Sequence, residues 1–252
     1  MQTERDRYAR AFCDPAAASS YERFYVRGTS DEAIWSIEQE FLADFFERNR
    51  SNWPACSYLD FACGTGRVIS FMEDRVTTSR GIDVSPEMLK IAASKVHRSE
   101  LICTDITKAA PPGAYDLITA FRFFLNAEPD LRLIIMKALA SQLRDEKSRL
   151  IFNNHGNPFS YKAVAWPVHR FRQLINGRKP AGNYLTDADV RALLAAANLE
   201  VVEQTGYGVI SPKLFRLAAS SARDMERRAS FSAFARRFGV NQLYVVRLRV
   251  RR

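Results

Sequence analysis

The chain is short of the residues that build metal and redox sites, with four cysteines and three histidines in 252 residues. Cys13, Cys56, Cys63 and Cys103 form no CxxC pair, and no histidine stands at metal-ligand spacing from them. That excludes the common zinc and dithiol motifs. Cys63 and Cys103 lie in apolar segments, where a free thiol is expected to behave as a small hydrophobe. Long hydrophobic runs are missing too: nothing approaches the ~18–20 apolar residues that cross a bilayer. The charged opening, Met1-Gln2-Thr3-Glu4-Arg5-Asp6-Arg7, lacks an apolar signal core, so the cytoplasm is the expected location. There is no internal repeat or low-complexity tract.

A hydrophobic content of 47% with ordinary Gly and Pro counts describes a globular chain and not a disordered one. The length suits one large α/β domain. The net charge of +9 is unevenly placed: residues 1–150 carry 20 Lys and Arg against 22 Asp and Glu, residues 151–252 carry 17 against 6. The asymmetry points to an acidic partner for the second half, such as nucleic acid, a phosphorylated substrate, a carrier protein or an anionic membrane. The alternative is a solvated basic face.

Hydrophobic spacing divides the chain. Residues 1–50 read as helical, with a break near Asp14-Pro15 and a loop around Arg27-Gly28-Thr29. Asp31 is the expected cap of a helix whose apolar stripe is Ile34, Ile37, Phe41, Leu42, Phe45 and Phe46. The Asn52-Trp53-Pro54 turn ends it. Strands are then expected at 57–62, 81–84, 101–104, 115–121 and 149–153. Helices alternate with them, from Val68, from Ser85-Pro86-Glu87 and over 130–144. Thr186-Asp187-Ala188-Asp189 caps a helix through Ala197, 200–208 reads as a sixth strand, 212–238 as an Arg-rich helical excursion and 242–250 as a last strand. This order predicts an α/β fold: a doubly wound, mostly parallel seven-stranded sheet with an antiparallel last strand inside it. N-terminal helices precede the sheet, and a helical insertion precedes the last strand. One domain is expected over 1–252, with 1–54 as a helical cap, 55–155 as a cofactor-binding core and 156–252 as substrate-side helices and closing strands.

Four features fall in the order a nucleotide site requires. In Leu59-Asp60-Phe61-Ala62-Cys63-Gly64-Thr65-Gly66, glycines past a strand end let backbone approach a ligand and turn into a helix. Asp83 ends the second strand, 23 residues after Asp60, where a carboxylate can accept both ribose hydroxyls. Asp105, at the tip of the third strand, is placed to take an adenine amino hydrogen, and Asp116 enters the fourth strand with Phe121-Arg122-Phe123 leaving it. A nicotinamide or flavin site would need G-x-G-x-x-G, but Gly64 and Gly66 are followed by Arg67, Val68 and Ile69. The third glycine is missing, and a diphosphate poorly matches a loop carrying Asp60.

Over residues 55–155 these motifs resemble the class I S-adenosylmethionine (SAM)-dependent methyltransferases; the flanks resemble them by layout only. The resemblance implies a Rossmann-like methyltransferase fold, SAM as cofactor and S-adenosylhomocysteine as product. It implies that the backbone at Ala62, Cys63, Gly64 and Gly66 faces the methionine part of SAM, with Asp60 supporting the loop. Asp83 would hold the ribose, Val84 or Met88 would line the adenine, Asp105 and Ile106 would contact its edge, and Phe121 would border the sulfonium. Ala62 departs from the family, many of whose members have glycine there; a methyl group is expected to be harmless.

Methyl transfer from a sulfonium is an in-line displacement, so the protein mainly positions the acceptor and removes its proton. A near-neutral pKa suits histidine for that task. His155 stands in Asn153-Asn154-His155-Gly156-Asn157, just after the fifth strand, and is the candidate base; a self-satisfied polar turn is the alternative. His169, on a candidate lid segment, and Arg122, Asn126 and Asn154 are candidate acceptor contacts, while His97 belongs to a surface helix. The Asn/Asp-Pro-Pro-Tyr-type motif of nucleobase and amide N-methyltransferases is absent from residues 121–126. Tyr21, Phe24, Tyr25 and Trp35 read as core or as a lid over the cofactor. Lys213, Arg216, Arg223, Arg227, Arg228, Arg236 and Arg237 interleave with Leu214, Leu217, Phe231, Phe234 and Phe238. That segment reads as a substrate-covering insertion with its arginines facing solvent or an acidic acceptor. The expected function is methylation of a hydroxyl on a small molecule or glycan. The alternatives are an RNA methyltransferase recruited by the basic half and a non-catalytic SAM-binding protein.

Overall fold

A computed structural model of the chain describes residues 29–250 apart from 110, 112, 164–174 and 176–184. The first described helix, α1 (Ser30–Asn49), is capped by Thr29, whose side-chain oxygen accepts the Glu32 N–H at 3.1 Å. The expected cap, Asp31, sits instead in the first turn, where its charge faces the positive end of the helix. All six residues of the predicted stripe are buried. Glu38 is buried on the same stripe.

Seven strands follow: β1 (Ser57–Phe61), β2 (Thr78–Asp83), β3 (Glu100–Cys103), β4 (Leu117–Ala120), β5 (Arg149–Asn154), β6 (Leu199–Tyr207) and β7 (Asn241–Leu248). Their order in the sheet is β3-β2-β1-β4-β5-β7-β6. The first five are parallel; β7 lies between β5 and β6, antiparallel to both. The last strand therefore returns inside the sheet, as its position after a long helical crossover predicted. The fourth strand is shorter than expected, because Tyr115 makes only an isolated bridge to Leu143.

Both faces of the sheet are covered, which is why its strands read as unbroken apolar runs. Leu59, Ile118, Leu150 and Val246 point into one core with Ile135 and Leu139 of α4 (Pro129–Ser141) and Val190 and Leu194 of α5 (Asp187–Ala196). Their neighbours Tyr58, Leu117, Ile151 and Val245 point the other way, into a core with α1 and with α2 (Arg67–Met72). Helix α5 opens with the predicted Thr186, in a full capping box with Asp189.

The excursion before β7 is three short helices: α6 (Pro212–Leu217), α7 (Ala219–Ala229) and α8 (Ala233–Phe238). Helix α8 rests directly on β6 at Gly206, where an added Cβ would lie 2.1 Å from the Ala235 carbonyl oxygen. Buried Glu226 ties the excursion down by accepting the N–H groups of Gly208 at 2.6 Å and Ile210 at 2.7 Å.

Two minor expectations are corrected. Helix α3 (Pro86–Ala92) stops short of His97, which is exposed in a bend with its N–H donated to Glu73. Cys103, on edge strand β3, is exposed because no further strand covers that side.

Glu73 accepts the N–H groups of His97, Arg98 and Ser99 at 2.9–3.2 Å, the shortest from Arg98. Burial alone would raise its pKa, but these N–H groups, foremost those of Arg98 and His97, outweigh that and hold the carboxyl below its ordinary range. Glu73→Gln is expected to cost roughly 2 kcal/mol at neutral pH, since hydrogen bonds to a charged group are the stronger kind. A carboxyl whose pKa is lowered in the folded state stabilises above its unfolded value and loses that contribution as pH falls through the folded value. Urea titrations at pH 7 and pH 3 test this: the gap between wild type and variant should be large at pH 7 and should shrink at pH 3.

Candidate cofactor and acceptor site

The strand order reverses across β1 and β4, and in an open α/β sheet the crevice lies beyond the carboxyl ends of the strands at that point. Five segments meet there. The first is the turn from β1 into α2, where three of five residues have positive φ: Ala62 at 55°, Gly64 at 55° and Gly66 at 82°. A Cβ at Gly66 would come within 2.9 Å of the Ala92 Cβ, so glycine is required there by conformation and by space. A Cβ at Gly64 would meet nothing within 4 Å. The turn presents open room on its outer side, as a cradle for a ligand must. Ala62 carries a side chain in the left-handed region, so it bears a strain of ~1 kcal/mol that glycine would not.

Asp83 closes the second segment. Its Oδ2 accepts the Gly64 N–H at 2.8 Å and its Oδ1 accepts the Ser85 N–H at 2.9 Å. Burial raises its pKa, opposed by these N–H groups. The carboxylate thus locks the glycine turn to the tip of β2. Asp60 lies beneath the turn, buried, accepting the Thr119 hydroxyl at 2.7 Å while Oδ2 has no hydrogen-bond partner among the described residues. Burial pushes it up to about 7 against the pull of Thr119 and Arg67. Its contacts fit support of the loop.

Around these, Met88, Ile106 and Phe121 are buried and Val84 is half-buried. Asp105 is more committed than the sequence suggested: Oδ1 accepts from the Thr107 hydroxyl and N–H, and Oδ2 pairs with Lys108 at 3.3 Å. An adenine amino group would share that carboxylate with them. Asp116 leaves the constellation altogether. It precedes β4, at the end of the strand away from the crevice, where it accepts the Ser57 N–H and pairs with Arg144 at 2.8 Å.

The candidate acceptor side is built by the ends of β4 and β5. Arg122 adopts a φ of 58° and donates its N–H to the Asn153 side-chain oxygen at 2.6 Å; its guanidinium pairs with Asp31 at 3.3 Å. His155 follows β5 with its Nδ1 buried and without a hydrogen-bond partner among the described residues. Lys162 comes back over it, Nζ donating to the His155 carbonyl at 3.1 Å. Burial, and then the charges of Arg122 and Lys162, push the imidazole down to about 3. The near-neutral value expected of a general base is therefore not what this ring has.

Two other candidates are structural. Asn154 donates to the Leu185 carbonyl at 2.6 Å and accepts the Gly156 N–H at 3.1 Å, so its amide shapes the turn and does not face an acceptor. Asn126 is exposed and donates back to the Arg122 carbonyl at 2.9 Å. His169, Tyr21, Phe24 and Tyr25 lie outside the described residues. Trp35 packs edge-on against Phe71 and under the Arg67 guanidinium, 4.3 Å from its ring centre.

Sequence reasoning missed the group that joins the two sides. Fully buried Glu38 pairs with Arg67, the first residue of α2, at 2.8 Å. It also accepts the Tyr207 hydroxyl at 2.7 Å and the Asn153 amide at 3.2 Å. A signal was available: Glu38 occupies an apolar position in the stripe of α1, where a lone carboxylate demands partners.

Residues 59–146 match a family model described as a methyltransferase domain. The chain carries a methyltransferase domain. Over 173 residues the methyltransferase is 28% identical to the ubiquinone biosynthesis O-methyltransferase of Thiobacillus denitrificans, covering 65% of this chain and 73% of that one. In fold it is similar to magnesium protoporphyrin IX methyltransferase from Synechocystis with S-adenosylhomocysteine bound, at a TM-score of 0.67 and 14% identity, covering 98% and 100% of the two chains. A SAM-dependent methyltransferase from Clostridium acetobutylicum aligns at 0.62 and 16% identity, covering 92% and 99%. The seven-stranded sheet with its reversed last strand is the fold of these SAM-dependent methyltransferases. Among the described residues no helix is long and apolar enough to cross a membrane.

Proposed function

We propose that this methyltransferase, acting as a single domain in the cytoplasm, methylates an oxygen of a small molecule, a hydroxyl held against His155. The carrying observation is the buried Nδ1 of His155, without a partner among the described residues, beside Arg122 and Lys162 at the carboxyl end of β5. A buried nitrogen lone pair without a donor costs free energy unless a ligand supplies one. The 28% identity to an O-methyltransferase supports oxygen over nitrogen as the acceptor atom.

Bound SAM supplies an activated methyl group on a sulfonium. The turn at Ala62–Cys63–Gly64–Gly66 would cradle its methionine part, Asp83 its ribose, and Val84, Met88, Asp105 and Ile106 its adenine, with Phe121 near the sulfonium. His155 accepts the hydroxyl hydrogen bond and fixes the oxygen's lone pair in line with the methyl. Arg122 and Lys162 favour the oxygen's ionised form electrostatically. A ring with a pKa of about 3 is too weak a base to retain the proton, which passes on to solvent.

His155→Ala is expected to lower kcat by roughly ten- to a hundredfold while leaving SAM affinity within about threefold. The wild-type kcat/KM profile should show no imidazole step between pH 6 and 7. A step there that vanishes in His155→Ala would restore a base in place of an orienting acceptor. S-adenosylhomocysteine release on adding phenols or sugar hydroxyls tests the acceptor class. Release only with RNA would favour an RNA methyltransferase, and tight SAM binding with no release across the panel would favour a sensor.

A further inference from the structure

Exposed apolar side chains on this protein are concentrated. Single ones scattered over a surface need no explanation. Of the ten large ones among the described residues, Leu214, Leu217, Met225, Phe231, Phe234 and Phe238 all lie on α6–α8 and their turns. Leu217 is 84% exposed and Phe234 56%. Phe234 and Phe238, one helical turn apart, meet at a tilt of 44° with ring centres 4.9 Å from each other.

The cations of the same segment divide into two sets. Arg223 and Arg227 pair with Glu32 and Glu40 of α1, so part of the basic character seen in the sequence is neutralised within the fold. Lys213, Arg216, Arg228, Arg236 and Arg237 are exposed and make no ion pair among the described residues. On α7 the division follows helical geometry: Ala222 and Glu226 face inward, while Met225 and Arg228, three residues apart, face outward.

We propose that α6–α8 form a surface that docks onto an anionic lipid bilayer, the apolar side chains entering the headgroup boundary and the five outward cations meeting lipid charge. Leu214, Leu217 and Met225 set this apart from a nucleic-acid grip. Aromatic rings can stack on bases, but aliphatic side chains release free energy only by leaving water. A second copy of the chain would bring the same uncompensated cations together. The surface also adjoins the acceptor site. Asn157, two residues after His155, donates to the Arg237 and Gly239 carbonyls at 2.9 and 2.8 Å, stapling the end of α8 to the crevice turn. Docking would therefore bring the acceptor end of the crevice close to the bilayer.

Vesicle co-sedimentation of the whole protein tests this, using phosphatidylcholine vesicles with and without about one-third phosphatidylglycerol. Binding is expected only to the anionic vesicles, with release at high salt. Arg236→Gln with Arg237→Gln should weaken it roughly tenfold or more. Leu217→Gln with Phe234→Gln should weaken it comparably at unchanged charge. Calorimetric SAM affinity, unchanged in both variants, shows that they are folded. Equal sedimentation with neutral vesicles, no sedimentation, or loss of neither variant's binding overturns the proposal. So does binding confined to single-stranded RNA, or a dimer that both pairs of substitutions dissociate.

Discussion

Asp83→Ala will weaken SAM binding by roughly a hundredfold or more and leave a folded protein. The carboxylate already accepts two backbone N–H groups, from Gly64 and Ser85, across the junction between the glycine turn and β2. Its removal frees the turn that would cradle the methionine part and deletes the acceptor for the ribose hydroxyls. Hydrogen bonds to a charged group are worth ~1.5–3 kcal/mol each. Two of them account for a factor of ~10² to 10⁴ in affinity. Asp83→Asn keeps the shape and one acceptor oxygen, but its NH₂ must then face an N–H. It should fall between wild type and alanine. Calorimetric titration with SAM measures all three, and an alanine variant with wild-type affinity would remove Asp83 from the cofactor site.

The second large effect belongs to a residue with no expected contact to either ligand. Glu38→Gln should destabilise the protein by ~3–5 kcal/mol, since breaking a buried ion pair from one side leaves the other charge uncompensated. Arg67, its side chain 12% exposed, would lose the carboxylate at 2.8 Å. For a chain of this size the melting temperature should fall on the order of 10 °C. SAM affinity should fall with it, because Arg67 opens the helix that follows Gly66. The double variant Glu38→Leu with Arg67→Met removes both charges and should melt closer to wild type than Glu38→Gln does. A single variant melting within 2 °C of wild type would show the pair to be dispensable.

Buried His155 adds a pH dependence of its own. Its pKa is lowered from 6.5 to about 3 in the folded protein, so it stabilises fully above 6.5 and that contribution is lost as pH falls towards 3.

Much of the fold was legible along the chain because both periodicities are clean. The alternation of 57–62, 115–121 and 149–153 with helical stretches became parallel strands covered on both faces, with ends within two or three residues. The glycine turn was legible because positive φ and close packing leave glycine few substitutes. Asp116 was misread although it stands at the amino end of its strand, whereas the crevice of a parallel sheet lies at the carboxyl ends. Asn154 was misread because a polar turn residue gives no sign of whether its amide faces a ligand or a carbonyl thirty-one residues away. The basic segment divided for a similar reason. Arg223 and Arg227 read like their neighbours, and only packing against Glu32 and Glu40 set them apart.

The sequence by itself determined the class of sheet and the glycine turn after its first strand, since each depends on local backbone requirements and short-range order. Only the tertiary structure decided the electrostatics. Whether His155 is neutral, whether Glu38 has partners, and which arginines face outward all depend on groups far apart in sequence. Burial and Coulomb interaction act through space, and the chain's linear order does not carry those distances.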